Sequence, residues 1–393
     1  MELNKLEQGI SFLTVRGCAY FEQMISMDYL KERVGMVECK YPWIHYRVDN
    51  GELKTDNEPK YYEKSFQSSQ KLDFVTNVLS DCSSLDSVSF WLCSMEGHKA
   101  GALVVVACHS FTDGPNIGYF LSDLLSSITS FVPQDRYDWK KMIENVDDNL
   151  QPVDVSNMLS VPPNPSPANT PIQFKARCFT YDTNSLLSFC KKHNVRPQSV
   201  FSAAELYSII NSVPHPPEFA AVNLISCNSR PFFGLPEDAS LFASAGIYSR
   251  VQINGQTQVK DVITQIHSQL HELMPKHVKS AFKGNCLGSY TPALPTASIS
   301  NIGKINTDFK DIWIQGGMNM FPEVLRPMRN FTFHGVTTGG QLNMVCTYLV
   351  PGCEDEFISK LLKHFDFFMT HIELVSEKTI ILDEQHSSCC GIL

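Results

Sequence analysis

The segment LVVVACHSFTDGPNIGYFLSDLL, residues 103–125, places an imidazole, a carboxylate and a glycine in the order His109, Asp113, Gly114. Histidine exchanges protons near neutral pH. An imidazole here suits general base catalysis: it can take a proton from an alcohol or amine and return one to a leaving group. Two uses are open to Asp113. It orients the ring, or it pins the loop by pairing with an arginine distant in sequence. Gly114 permits a tight backbone turn. Composition alone predicts about 0.03 copies of H-x-x-x-D-G in a chain of this make-up. The bland alternative is a core histidine that caps a turn. His45 and Asp49 repeat the H-x-x-x-D spacing, but there the Asp opens a turn and the His falls inside an expected strand, so the pair reads as structural.

The elements around the motif explain how it is held. Leu103 to Ala107 form an unbroken apolar run, the pattern of a buried strand. His109 falls where that strand gives way to a loop, so the sheet fixes the backbone and the loop exposes the side chain. Cys108 is the other nucleophile in reach. Strand alternation turns it away from His109, which favours a packing role, and the chain holds no G-x-S-x-G elbow. After the motif, Ile117, Phe120, Leu121, Leu124, Leu125 and Ile128 recur at helical spacing, predicting an amphipathic helix over 116–131.

Elsewhere, the spacing predicts a helix over 18–37, a strand and hairpin over 40–54 turning at 49–51, and strands at 87–94 and 101–108. Residues 151–171 carry six prolines and no periodicity, which marks a linker. Beyond it come a strand at 173–182, helices at 183–193 and 197–212, strands at 219–226 and 245–253, a helix at 258–274, a strand at 342–350 and a helix at 354–373. The expected organisation is an N-terminal unit over 1–150, a linker over 151–172, a second unit over 173–378 and a flexible tail over 379–393. Strands and helices alternate in both halves, so the fold class is α/β in two domains.

Composition narrows the partners. The chain has 393 residues, 13 cysteines and a net charge of −9. No run of like charge suggests a nucleic-acid arm, no apolar stretch approaches a membrane span, and the opening residues do not read as a secretory leader. The odd number of cysteines, without CxxC pairs, points to reduced thiols in a cytoplasmic protein with no metal site. Small-molecule partners are expected, and nothing demands more than a monomer.

The motif, in company with other segments, resembles the chloramphenicol-acetyltransferase-like superfamily of CoA-dependent acyltransferases. That superfamily includes plant BAHD enzymes, alcohol acetyltransferases, wax-ester synthases and peptide-synthetase condensation domains. The other segments are KYPWIHYRVDNGEL at 40–53, NLISCNSRPFFGLP at 223–236, ASISNIGKI at 297–305 and TTGGQLNMVCTYL at 337–349, in the family's order. The BAHD stretch Asp-Phe-Gly-Trp-Gly is absent; the corresponding region reads DFKDIWIQGGMN, 308–319. The resemblance implies two mixed sheets with flanking helices, arranged as a V around an active-site channel. It implies that His109 is the general base and that no covalent enzyme intermediate forms. Ser300 and Asn301 lead the candidates for the oxyanion donor, ahead of Ser298 and Thr337. Asp113 becomes structural, paired with Arg230, or else with Arg16. Acyl-CoA is a co-substrate with no tightly bound cofactor; Lys279 and Lys283 are candidates for its phosphates, and the acceptor is a small alcohol. The rival readings are an N-acyltransferase or carrier-protein condensation enzyme using the same His109, and a catalytically silent binding protein.

The chain ends in Cys389-Cys390-Gly391-Ile392-Leu393. The last four residues fit a C-a-a-X box of the geranylgeranyl type at Cys390, with Cys389 as a palmitoylation candidate. Two lipids would place the protein on a cytoplasmic membrane face. Gly391 is not aliphatic, and the residues upstream are acidic rather than basic.

Overall fold

The computed structural model describes residues 13–49, 52–83, 87–134, 137, 142–144, 146, 153–164, 170–281, 295–318 and 329–381. They build two sheet-and-helix bodies of mixed α/β architecture. The first sheet contains β1 (Leu13–Phe21), β4 (Lys60–Phe66), β5 (Ser89–Met95), β6 (Gly101–Cys108) and β11 (Ile312–Met318), in the order β11-β1-β6-β5-β4. The second contains β7 (Gln173–Asp182), β8 (Glu218–Asn228), β9 (Ser244–Asn254), β10 (Ala297–Ile305), β12 (Phe331–Thr338) and β13 (Gln341–Val350), in the order β7-β13-β12-β10-β8-β9. A two-stranded hairpin, β2 (Arg47–Asp49) with β3 (Glu52–Lys54), stands apart.

β6 is buried on both faces, which is why it reads as a continuous apolar run. Helices α1 (Met27–Val37) and α3 (Gly114–Leu125) cover one face of the first sheet, where Leu103, Val105 and Ala107 meet Leu30, Val34, Phe120 and Leu121. Helix α2 (Lys71–Asp81) covers the other face and is wedged against Ala176, Cys178 and Val345 of the second body. Helices α4 (Thr183–His193), α5 (Pro197–Ile210), α6 (Val259–Ala281), α7 (Asp355–Thr370) and α8 (Ile372–Ser376) complete the second body. No helix among the described residues is long and apolar enough to cross a membrane.

Several expectations need correcting. Residues 18–21 belong to β1, and the helix starts only at Met27, with Ser26 accepting a bond from the Tyr29 amide as its N-cap. β1 is buried on both faces, and such a strand lacks the alternation that separates strand from helix. His45 lies in a short 3-10 turn, Pro42–His45, because Pro42 presets the helical φ. Helix α3 stops at Leu125, so Ile128 lies beyond it, exposed. Part of the linker is docked: the Asn157 carbonyl and Leu159 amide bond to Ala220, and Leu159 is buried. Sheet membership also crosses the linker. β11, from the far side of it, pairs antiparallel with β1 from Leu13↔Met318 to Ala19↔Ile312.

Candidate active site

His109 follows β6 directly, and its amide donates to the Leu13 carbonyl of β1 (2.9 Å). Its Nδ1 lies 2.9 Å from the Thr112 carbonyl oxygen. A carbonyl only accepts, so the proton sits on Nδ1 and the lone pair on Nε2. Phe242 meets the ring edge-on, with centroids 5.4 Å apart. Burial lowers the His109 pKa, against smaller opposing effects of the Thr112 carbonyl and Asp113, so the ring is neutral at pH 7. Cys108 is half-buried, and burial raises its thiol pKa, which suits packing rather than attack.

Asp113 makes no hydrogen bond to His109. It caps α3 by accepting from the Asn116 amide (3.0 Å), and it meets Arg230 in a two-pronged pair, Nη1 to Oδ2 and Nη2 to Oδ1, each 3.0 Å. The Ala243 amide (2.8 Å) and Ser244 hydroxyl (3.2 Å) also donate to it. Arg230 spends its remaining N–H groups on Asn228 Oδ1 and on the Ala239 and Leu241 carbonyls. Both side chains are fully buried. Burial works against the carboxylate, but Arg230 and the amide donors outweigh it and hold its pKa below the usual range. Removing either partner would strand a buried charge, at a cost of about 3–5 kcal/mol. Arg16 lies elsewhere: buried beneath the Phe174 ring, it donates from Nη1 to the Leu79 carbonyl (2.9 Å) in the last turn of α2.

Gly114 is small because β10 presses on it. A Cβ there would lie 2.8 Å from Ile302 Cγ1, and one on Gly118 would lie 2.9 Å from Ile305 Cγ1. The motif helix thus rests on the strand that carries the oxyanion candidates. β10 shifts register between Asn301 and Gly303, and Asn301 Oδ1 accepts from the Gly303 amide (3.0 Å), which commits that oxygen to the bulge. Ser300 is half-buried and stands opposite His334 and Ser226 in the ladder. The Ser298 amide donates to Glu205 Oε1 (3.0 Å), a fully buried carboxyl whose pKa burial pushes up to about 8. Thr337 stands opposite Lys304. No hydrogen bond or ring contact joins His109 to Ser300, Asn301, Ser298 or Thr337 among the described residues.

His334 was not anticipated. It lies on β12, buried, with Nε2 3.2 Å from Thr347 Oγ1 and Nδ1 accepting from the Gly316 amide (3.4 Å). Burial, then repulsion by His109, lowers its pKa to about 3. A lone His inside an apolar strand carries no spacing signal, so nothing in the sequence marked it. Lys279 is turned onto the Phe233 ring, 5.7 Å from Nζ to centroid. Lys283, Cys389 and Cys390 lie outside the described residues.

A cavity of about 360 Å³ opens where the parallel strands β8 and β10 end, beside the start of α3 and α5. Arg196, His267, His271 and Lys304 put cationic or titratable nitrogens on its wall, and Pro115 and Asn301 border it on the side of the motif. Carboxyl ends of parallel strands are where such sheets bind ligands.

No family model matches the chain, and no curated protein matches it in sequence. Its two bodies nevertheless superpose on solved structures along nearly their whole length, and the fold the chain shares with them is the two-body, chloramphenicol-acetyltransferase-like fold of condensation domains. Among these structures is polyketide synthase associated protein 5 from Mycobacterium tuberculosis, with a TM-score of 0.66, 13% identity, and coverage of 94% of this chain and 98% of that one. TRI3 trichothecene 15-O-acetyltransferase from Fusarium sporotrichioides gives 0.62 at 10% identity, covering 93% of each chain. The starter condensation domain of rhizomide synthetase, in complex with C8-CoA, gives 0.58 at 10% identity, covering 97% of this chain and 93% of that one.

Proposed function

We propose that this chain is an acyltransferase that moves an acyl group from CoA to the hydroxyl of a small acceptor, with His109 as general base. The observation that carries the reading is the imidazole itself: Nδ1–H is engaged by the Thr112 carbonyl, burial keeps the ring neutral, and Nε2 is left as the basic atom at the end of a rigid strand. Nε2 takes the acceptor proton as the hydroxyl oxygen attacks the thioester carbonyl, and a C–O bond forms. The tetrahedral oxyanion needs a donor, for which the Ser300 hydroxyl and the Asn301 amide group are the candidates on β10. Collapse breaks the C–S bond, and the proton on Nε2 passes to the leaving thiolate. No step requires a covalent enzyme intermediate. Asp113 contributes at a distance, by holding the loop to Arg230 and so fixing where Nε2 points.

Arg196 and Lys304 on the cavity beside Pro115, set against the one carboxylate among its described lining residues, Glu237, support a donor that carries phosphates, as CoA does. The solved structure that contains C8-CoA has the same fold.

The test is transfer itself. Purified protein is incubated with a panel of acyl-CoAs and pooled alcohols and amines, and products are identified by mass, because the 13 cysteines would react with a thiol reagent. Turnover with one acyl donor, falling by about 10²–10⁴-fold in His109→Ala while the melting temperature stays close to wild type, supports the reading. Near-full turnover in that variant would sink it.

A further inference from the structure

The face of the second sheet that looks toward the first is built of hydroxyls. Ladder pairing aligns Ser226, Ser300 and His334 in one rung; one step along the same face it pairs Leu224 with Ser298, and Thr332 with Thr347. Residues paired in a rung share a face. The direction of that face is fixed by its own members: Val345, which pairs with His334, packs with Cys18, Val104 and Trp313, and His334 reaches Gly316 of β11. Over β13 the face is sealed by that contact. Over β8, β10 and the start of β12 it stays open: Leu224, Ser226, Ser298, Ser300 and Thr332 are only half-buried. None of the hydroxyls of Ser226, Ser298, Ser300 and Thr332 has a hydrogen-bond partner among the described residues. Neither rung carries an Asp, Glu, Lys or Arg, and His334 is held neutral; Ser226, at the end of its rung, also borders the cavity lined by Arg196, Lys304 and Glu237.

The His109 ring lies against Phe242, just before β9, whose Gly246 extends the Ser226 rung. At roughly 3.3 Å per residue, the Cα atoms of Phe242 and Gly246 lie within about 13 Å of each other. His109 is also an electrostatic neighbour of His334 in the first rung, so a molecule presenting one hydroxyl to His109 has that rung beside it.

We propose that the acceptor is an uncharged, oxygen-rich molecule: it carries further hydroxyl, ether or carbonyl oxygens beside the one acylated, and Ser298 and Thr332, beside Ser226 at the cavity edge, read them. The proposal rests on the acyl-transfer reading and narrows its acceptor class. Hydroxyls donate and accept, so they match neutral oxygen groups of either kind. Over Ser298 and Thr332 a charged acceptor would shed hydration without a charged partner in either rung. A plain alkyl chain would leave the hydroxyls facing it unpaired, which selects against it more strongly than a missing methylene does.

The experiment uses the full chain with the acyl-CoA found above and three six-carbon acceptors: D-glucitol, 1-hexanol and 6-hydroxyhexanoate. They differ in oxygen content and charge rather than length. Glucitol is expected to exceed hexanol in kcat/KM by about tenfold or more, with hydroxyhexanoate the poorest. The double variant Ser298→Ala, Thr332→Val should cut the glucitol-to-hexanol ratio about fivefold; being a ratio, it cancels any general loss. Hexanol matching glucitol, hydroxyhexanoate being preferred, or an unchanged ratio in the variant would each overturn the proposal. Saturation-transfer NMR of the same three compounds asks the question without turnover. If no acceptor is acylated, the transfer reading fails, and preferential saturation of glucitol, lost in the variant, still decides the acceptor class.

Discussion

At the scale of single residues, the site separates two jobs that one carboxylate often combines. The Thr112 carbonyl fixes the tautomer of His109, while Asp113 turns away to Arg230. The proposed base is therefore oriented by a neutral group, and the smaller upward effects of the Thr112 carbonyl and Asp113 do not offset burial. The sign of the pH dependence follows. The proposed mechanism needs neutral Nε2, so kcat/KM should be flat through neutral pH and fall in acid with an apparent pKa below the ordinary histidine value of about 6.5. An acid limb above that value in a pH–rate profile would contradict the burial. His334 adds a stability effect in the same direction. Its folded pKa of about 3 lies under its unfolded one, so the unfolded chain binds the extra proton and stability drains away as pH falls from about 6.5 toward 3. The spacing of His109, Asp113 and Gly114 was legible in the sequence because all three serve one short turn. His334 was not, because its meaning comes from Gly316 and Thr347, on two other strands.

At the scale of elements, helix α3 is clamped at both ends by arginines from other segments. Arg230 holds its N-cap, and Arg33, buried on α1, donates to the Leu124, Asp123 and Ile128 carbonyls at its C-terminal end. The helix has no basic residue in its own last turn, so Arg33 supplies the positive charge that its dipole favours there. Between the clamps, Gly114 and Gly118 let it lie on Ile302 and Ile305. Gly114→Ala should push β10 aside, lower the melting temperature by an amount equivalent to about 1–3 kcal/mol and reduce kcat; adding Ile302→Val should restore part of both. Thermal denaturation beside activity checks it, and a neutral Gly114→Ala would show that β10 yields freely. The amphipathic α3 and the flanking strands could be read from periodicity alone. β11 and α2 could not: β11 carries a glycine pair toward its C-terminal end and α2 has no side-chain N-cap to mark its start, and each is secured by partners far away in sequence.

At the scale of the whole molecule, the two bodies are joined by more than the 151–172 linker. The 237–244 segment is pinned to the first body by Tyr119 to Glu237 (2.9 Å), Lys40 to Asp238 (2.8 Å), Gln134 to Ser240 (2.8 Å) and the Asp113 node. β11 is built into the first sheet. Cutting the linker at an introduced protease site should therefore leave two fragments that elute together on gel filtration and melt in one transition; separation of the fragments would mean that these contacts are weaker than their burial implies. The crossing strand also has a consequence in time. Thr14 donates to the Gly317 carbonyl across 303 positions of chain. A ribosome adding about 5–20 residues per second needs roughly 15–60 s to deliver that partner. For that interval one edge of β1 is an open template, next to the most apolar strand of the first body, and the nascent chain must be kept from pairing with a neighbour until its own later half emerges.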